Sequence, residues 1–246
     1  MKFTSRALCQ SQEGRTERDM ASHKKILEHV KTFEGGYSAD PVDNASKSPS
    51  PIVGLDKRYP NLPVHTYRGV IWATWTRYAR QKGFLATGRS FVEMTLGQWE
   101  DLLKTLYWDA FRGDDIKSQG IAEMLFEAVW GGGAYGSRGL FTKLQEFLRR
   151  NGYDIRVDGV IGPKTVEALN KFAKTKKAEE ELILYLTNER LIYLQGLSDW
   201  WKYKAGWSRR VAEMKDRALA YITENPTTAG GGIIVAAAAA YLLFKG

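Results

Sequence analysis

Glu34 and Asp43 are the two carboxylates whose positions suggest chemistry. Glu34 follows apolar residues at helical spacing, and Gly35-Gly36 then breaks that pattern. A carboxylate at the end of a helix faces the negative pole of the helix dipole, which favours its protonated form. Asp43 lies nine positions further on, in a loop that can fold it back toward Glu34. An acid and a second group that orients or activates water are what hydrolysis of a glycosidic bond requires.

Each carboxylate also has an ordinary structural explanation. A Glu at a helix end, such as Glu34, is commonly just exposed to solvent. An Asp followed by Asn, as at Asp43-Asn44, commonly caps a turn. The spacing alone therefore leaves both interpretations open.

The apolar pattern predicts a predominantly α-helical chain. A first helix is predicted from Ala21 to Glu34, where apolar residues recur at helical spacing. Thr95 and Gln98 form a capping-box pattern before another helix, and Pro163 suits the first turn of a third. Strand patterns are nearly absent. The helical stretches after the first are predicted at about 66–78, 95–106, 121–129, 140–148, 163–169 and 182–193.

Residues 38–66 form a stretch that matches neither helix nor strand periodicity. They contain five prolines, with Ser, Asn, Asp and Lys between them. Such a composition favours turns and irregular backbone. The sequence therefore predicts a long loop here, with short extended pieces at most.

The two ends of the chain differ from its body. Residues 1–20 lack the continuous apolar core of a secretory signal and are predicted to form a flexible arm. Residues 229–246 are almost entirely Gly, Ala and larger apolar residues. A bilayer-spanning helix needs about 20 apolar residues, so this short segment is interpreted as a hydrophobic tail helix and a candidate membrane anchor. A helix packed on another protein, or a Gly hinge before an assembly contact, are the alternatives.

Composition limits the partners that the protein can have. A net charge of +8 draws it toward polyanions such as nucleic acid, anionic lipid or bacterial cell wall. The basic residues are spread over helical segments without a zinc-finger or recognition-helix pattern, so nucleic acid is not an expected partner. Cys9 is the single cysteine, which excludes an intrachain disulfide, and no metal site is expected.

Several blocks of the sequence together resemble glycoside hydrolase family 108, a lysozyme-like muramidase family common in phages. Residues 158–165 resemble the peptidoglycan-binding segment that follows the catalytic part of this family, and the whole resemblance covers about residues 24–219. The catalytic blocks are Phe33-Glu34-Gly35-Gly36-Tyr37 with Asp40-Pro41-Val42-Asp43, Thr66-Tyr67-Arg68-Gly69-Val70-Ile71-Trp72-Ala73-Thr74-Trp75, and Leu106-Tyr107-Trp108-Asp109.

The resemblance implies roles for three residues. It makes Glu34 the catalytic acid, and it matches Asp43 and Thr66 to the pair with which phage-type lysozymes position the attacking water. Here residues 44–65, rich in Pro and Ser, replace the short Gly-rich link of the family, and Ile71 stands where the family often has Thr. Thr66 also has a structural alternative, as the N-cap of the helix predicted to begin there.

Three aromatic residues are candidate contacts for sugar rings. Tyr37 follows the Glu34 motif, and Trp130 and Tyr135 flank the Gly-rich segment 131–133. Flat apolar faces suit sugars, although aromatic residues at helical spacing more often belong to a core.

The sequence thus predicts an all-α, lysozyme-like fold that is at most marginally α+β. Residues 21–115 would form the catalytic domain and residues 116–222 a peptidoglycan-binding helical region. The resemblance implies an endolysin-like, phage-encoded muramidase that acts at the bacterial cell wall without cofactor or metal. It would cleave the β-1,4 bond between N-acetylmuramic acid and N-acetylglucosamine, anchored in a host or virion membrane if residues 229–246 span one.

Two other functions stay open at this point. A lytic transglycosylase would use Glu34 alone and leave anhydro sugar ends. An inactive, membrane-anchored virion or wall-binding protein would keep the fold without activity, and the altered 44–65 segment permits this. The sequence makes no prediction of oligomeric state or of inverting against retaining stereochemistry.

Overall fold

The computed structural model describes residues 20–31 and 36–223. Within these residues, nine α-helices accompany a single small antiparallel sheet of three strands, which confirms the predicted mostly α-helical, lysozyme-like fold. Glu34, most of the predicted N-terminal arm and the hydrophobic tail 229–246 lie outside the described residues. The division into domains at residues 115 and 116 stays a prediction.

The helices confirm most of the periodicity in the sequence. Each of the stretches predicted from about residue 95 onward is helical, and the helix predicted after Ala21 is described from His23 to Lys31. The helices are α1 (His23–Lys31), α2 (Trp72–Lys82), α3 (Gly88–Val92), α4 (Leu96–Leu103), α5 (Gln119–Trp130), α6 (Leu140–Arg150), α7 (Pro163–Phe172), α8 (Lys176–Gln195) and α9 (Trp200–Ala220). A π-helical turn, Lys104–Trp108, continues α4.

Local capping signals set several of these helix boundaries. Thr95 accepts a hydrogen bond from the Gln98 backbone N–H at 3.2 Å, and Gln98 Oε1 accepts one from the Thr95 N–H at 2.9 Å. This is the predicted capping box. Pro163 occupies the first turn of α7, also as predicted, because its fixed φ suits that position and no intrahelical N–H is needed there.

The sheet corrects one prediction. Helical structure does not resume at Thr66, because β2 (Thr66–Tyr67) and β3 (Val70–Ile71) form a hairpin and α2 begins only at Trp72. Arg68 and Gly69 between the strands have φ values of 48° and 72°, the left-handed pair that a tight two-residue hairpin turn needs. The apolar spacing fits a helix, but this turn reverses the chain.

The third strand and a tryptophan hold the hairpin in place. Strand β1 (Tyr37–Ser38) pairs antiparallel with β2, with Tyr37 opposite Tyr67 and Ser38 opposite Thr66. The indole N–H of Trp99, on α4, donates to the Arg68 carbonyl at 2.9 Å. The predicted long loop is confirmed between β1 and β2, and it includes a 3₁₀ helix at Asn44–Lys47.

Helix α5 lies at the centre of the molecule. Nearly all of its residues are buried, and one hydrophobic cluster extends around it from Ala21 to Ile222. Both regions predicted from the sequence contribute to this cluster. Among the described residues, no helix is long and apolar enough to cross a bilayer.

Ion pairs between two buried glutamates and two largely buried arginines join α5 to α9. Glu123, 4% exposed, accepts hydrogen bonds from Arg217 at 2.7 Å, from Gln119 at 2.9 Å and from the Tyr221 hydroxyl at 2.8 Å. One helical turn further along α5, Glu127 pairs with Arg210. Burial alone would raise the pKa of Glu127, but the charge of Arg210 holds it below its usual value.

His29, on α1, lies beside these ion pairs and makes the stability of the fold depend on pH. Burial, and next the charge of Arg217, lower the pKa of His29 from 6.5 to about 4. The unfolded chain therefore takes up this proton near pH 6.5, whereas the folded chain takes it up only near pH 4. The contribution to stability is complete above pH 6.5 and decreases as the pH falls toward 4.

We expect the free energy of unfolding to fall by about 2 kcal/mol between pH 7 and pH 4.5 through His29. Urea denaturation at the two pH values measures this decrease. His29→Gln should retain only a smaller decrease, to which His23 contributes because burial lowers its pKa too. An equal decrease in wild type and His29→Gln would contradict the prediction.

Candidate active site

Thr66 lies in the sheet and not at the start of a helix. It is 4% exposed and stands directly opposite Ser38 on one side and Ile71 on the other. The N-cap of α2 is Ile71, whose side chain makes no capping bond. The structural alternative for Thr66, a helix cap, is therefore wrong. Directly paired residues share a face of a sheet, so Ile71 lies beside Thr66. Position 71 is the one at which glycoside hydrolase family 108, by the sequence resemblance, often has a Thr hydroxyl.

His65, which sequence reasoning passed over, fixes the position of Thr66. The residue is 1% exposed, with ring Nδ1 2.8 Å from the Thr66 hydroxyl and Nε2 3.1 Å from the Asp40 carbonyl oxygen. Its backbone N–H donates to Ser38 at 2.9 Å, and its carbonyl accepts from the Trp72 N–H at 2.8 Å. Both the ring and the backbone of His65 thus tie β2 to its neighbours.

Asp43 lies in the turn that follows β1. It is 6% exposed, and its Oδ1 accepts the Ala45 backbone N–H at 2.8 Å, capping the 3₁₀ helix Asn44–Lys47. The turn-capping contact considered from the sequence is therefore present. It uses one of the two carboxylate oxygens, so it does not conflict with a second role for Asp43. The Asp43 backbone N–H donates to the Asp40 carbonyl at 3.1 Å.

Asp56 organises the long loop between these residues. It is buried and accepts the Ala39 N–H at 3.0 Å and the Arg58 N–H at 2.9 Å, with the Arg58 guanidinium also in contact. Burial would raise the pKa of Asp56, but these hydrogen bonds lower it below its usual value. An Asp two residues before its N–H donor is a local turn signal that the sequence contains. The hydrogen bond from the Ala39 N–H joins residues 17 positions apart, so no local sequence signal predicts it.

The three candidate sugar contacts lie in different environments. Tyr37 is half-buried and stacks on Tyr67 with ring centroids 4.6 Å apart, and its hydroxyl donates to the Val92 carbonyl at 3.2 Å. Trp130 is 6% exposed and packs edge-on against Tyr107, so little of its ring faces solvent. Tyr135 is 58% exposed. Their roles in substrate binding stay predictions.

Among the residues that the structure describes, no group of three or more His, Cys, Asp or Glu side chains is placed to hold a metal ion. The polar groups that these contacts bring together at β2 are the Thr66 hydroxyl, the His65 imidazole and the Asp40 backbone carbonyl. Such groups hold water and substrate through hydrogen bonds.

Two protein-family models match most of the chain. Residues 27–133 match the family described as Glycosyl hydrolase 108. By this similarity, residues 27–133 form a glycosyl hydrolase 108 domain. Residues 141–212 match the family described as Predicted Peptidoglycan domain, as the sequence resemblance predicted. The protein is a glycoside hydrolase, and with both domains it is a peptidoglycan hydrolase that acts at the cell wall.

A solved structure is similar to most of the chain. The structure of Brucella abortus SagA is 27% identical, covers 82% of this chain and 96% of that chain, and superposes with a TM-score of 0.57. The 18% of this chain outside that similarity, about 44 residues, is shorter than either family match, so the similarity includes residues of both domains. No curated protein matches the sequence.

Within the glycosyl hydrolase 108 domain, the predicted acid Glu34 belongs to the segment that joins α1 to β1 and lies outside the described residues. Strand β1 comes directly after that segment and pairs with the strand of Thr66. The turn with Asp43 then follows β1. The described part of the predicted site is therefore β1, β2 and the turn that contains Asp43.

Proposed function

We propose that the glycosyl hydrolase 108 domain is a muramidase, which hydrolyses the β-1,4 bond between N-acetylmuramic acid and N-acetylglucosamine. The observation that carries the proposal is the pair of bonds from His65 and Asp43 to one acceptor, the Asp40 carbonyl oxygen. These bonds bring the strand of Thr66 and the turn of Asp43 together directly after the segment of Glu34. The family match supports the same substrate class.

In the proposed reaction, Glu34 donates its proton to the glycosidic oxygen as the bond to the anomeric carbon breaks. A water molecule held by Asp43 and Thr66 forms the new bond to that carbon, and its proton passes to Asp43. A single displacement of this kind requires about 6.5–9.5 Å between the two carboxyl groups. Two carboxyl groups about 5–5.5 Å apart would instead form a covalent intermediate.

The ends of the product strands test this proposal. Purified peptidoglycan sacculi are digested with the full-length protein, reduced with borohydride and analysed by mass spectrometry. A muramidase leaves reducing N-acetylmuramic acid, which becomes muramitol. Glucosaminitol ends would show cleavage of the other glycosidic bond, anhydromuramic acid would show a lytic transglycosylase, and binding without new ends would show an inactive wall-binding protein.

Asp43→Asn separates the catalytic role from the capping role. Asn keeps an acceptor for the Ala45 N–H and is a good cap, so we expect the melting temperature to change little. The rate of hydrolysis should fall roughly 10²-fold, because Asn cannot take up the proton of the water. Glu93→Gln, which removes an exposed carboxylate paired with Arg89, is the charge-matched control. Full activity of Asp43→Asn would contradict its role and favour a transglycosylase.

Residues 229–246 support a separate proposal, that the enzyme is held at a membrane in a host envelope or a lipid-containing virion. Their composition is the support, since an apolar segment near the length of a membrane span prefers hydrocarbon to water. Recovery of the full-length protein in the soluble fraction without detergent would contradict it. The phage-encoded, endolysin-like role implied by the family resemblance stays a prediction.

A further inference from the structure

The ring of His65 has a defined protonation pattern. A carbonyl oxygen can only accept a hydrogen bond, so His65 Nε2, 3.1 Å from the Asp40 oxygen, carries a proton. In the neutral ring Nδ1 is then an acceptor. The Thr66 hydroxyl, 2.8 Å from Nδ1, must therefore donate its only proton to His65.

This pattern decides what Thr66 can offer to a water molecule. A hydroxyl has one proton to donate and two lone pairs that accept. With its proton directed at His65, the Thr66 hydroxyl can only accept a hydrogen bond from water. The lone pairs of that water then stay free to attack an anomeric carbon. A Thr66 hydroxyl that could rotate would also donate to the water and engage the lone pair that the reaction needs.

The same ring connects Thr66 to Asp43. Residues 44–65 separate the two in sequence, but the Asp40 carbonyl accepts both His65 Nε2–H and the Asp43 backbone N–H, each at 3.1 Å. A carbonyl oxygen has two lone pairs and can satisfy both donors. Because His65 is almost completely buried, its ring has little freedom to leave this position.

We propose that His65 is a positioning residue for hydrolysis. It directs the proton of the Thr66 hydroxyl away from the attacking water and fixes Thr66 relative to the turn of Asp43. The proposal rests on the proposed function, in which Thr66 and Asp43 hold that water. A buried histidine with a merely structural role would affect stability without any particular coupling to the Thr66 hydroxyl.

A double-mutant cycle separates these two roles. His65→Gln can keep a donor for the Asp40 carbonyl, since the amide nitrogen of Gln reaches about as far as Nε2, but it removes the acceptor at Nδ1. Thr66→Val removes the hydroxyl at nearly constant shape. We expect His65→Gln to lower kcat on soluble, uncrosslinked peptidoglycan strands about tenfold, with KM within about twofold. In the Thr66→Val background it should change kcat by less than about twofold.

The matched substitutions extend the test. His65→Asn places an amide oxygen near the position of Nδ1, so it should retain more of kcat than His65→Gln does. His23→Gln makes the same change at a histidine outside this cluster and should leave kcat within about twofold of wild type. An equal loss of kcat from His65→Gln in both backgrounds would overturn the positioning role while leaving the muramidase proposal intact. Full activity of Thr66→Val would overturn the role of Thr66 and the inference together.

The tautomer can be measured without a mutation. In protein labelled with ¹⁵N-histidine, the neutral His65 ring should show a protonated Nε2 and an unprotonated Nδ1. The opposite tautomer would overturn the inference even if the variants at His65 failed to fold.

Discussion

Glu34→Gln is expected to lower the rate of peptidoglycan hydrolysis by roughly 10²- to 10⁴-fold, the usual contribution of a general acid. Gln has nearly the same shape as Glu but cannot protonate the leaving oxygen. Binding to sacculi should persist, because the Predicted Peptidoglycan domain at residues 141–212 is unchanged. Release of soluble fragments from labelled sacculi measures the rate, and pelleting with sacculi measures the binding.

Glu28→Gln provides the control for this variant. Glu28 is an exposed carboxylate on α1, so its replacement removes the same charge a short distance away along the sequence. It should hydrolyse sacculi at the wild-type rate. Wild-type activity in Glu34→Gln would remove Glu34 as the acid, whereas an equal loss in both variants would indicate a general effect of charge on wall binding.

Glu123→Gln is expected to cause the largest loss of stability, about 3–5 kcal/mol in the free energy of unfolding. Its carboxylate, 4% exposed, faces Arg217, whose side chain is 14% exposed. Once the negative charge is removed, the largely buried guanidinium is left without its counter-charge. The Tyr221 hydroxyl and the Gln119 amide also donate to Glu123, so two further bonds are weakened. Urea denaturation at pH 7 measures the effect.

Two further variants test whether the burial of the Glu123–Arg217 ion pair causes the loss of stability. Glu167→Gln breaks an ion pair of similar length with Lys171 on the surface of α7, and exposed pairs contribute about 1 kcal/mol at most. Glu123→Gln combined with Arg217→Met should recover part of the loss, because no buried charge is then left over. A loss in Glu123→Gln no larger than that in Glu167→Gln would contradict the account of α5 and α9.

The helices could be predicted because their signals are local. The capping box at Thr95, the proline at 163 and the 3.6-residue apolar spacing all act within a few positions of the residues that they affect. The sequence does not predict the hairpin, because strands of two residues are too short to show alternation. What sets it is the left-handed pair Arg68-Gly69 and the contact of Trp99 with the Arg68 carbonyl.

The candidate site likewise contains residues that local motifs predict and contacts that only the folded chain shows. Asp43 and Thr66 could be predicted from their motifs. The role of His65 could not, because it depends on a hydrogen bond to the Asp40 carbonyl, 25 residues away. The positions of Arg210 and Arg217 in the sequence do not distinguish them from the other basic residues of the helical segments. The sequence does not show that α9 turns them toward the two buried glutamates of α5. Long-range contacts of this kind depend on the assembled fold.

The central claim is that the enzyme adds water to the anomeric carbon of N-acetylmuramic acid. Isotope labelling of that water tests it most directly. Sacculi are digested with the full-length protein in H₂¹⁸O, and the released muropeptides are analysed by mass spectrometry before any reduction. The account predicts one ¹⁸O at the anomeric carbon of each new N-acetylmuramic acid end, in wild type but not in Glu34→Gln. New ends that carry no ¹⁸O and are anhydromuramic acid, or ¹⁸O on N-acetylglucosamine ends, would contradict it.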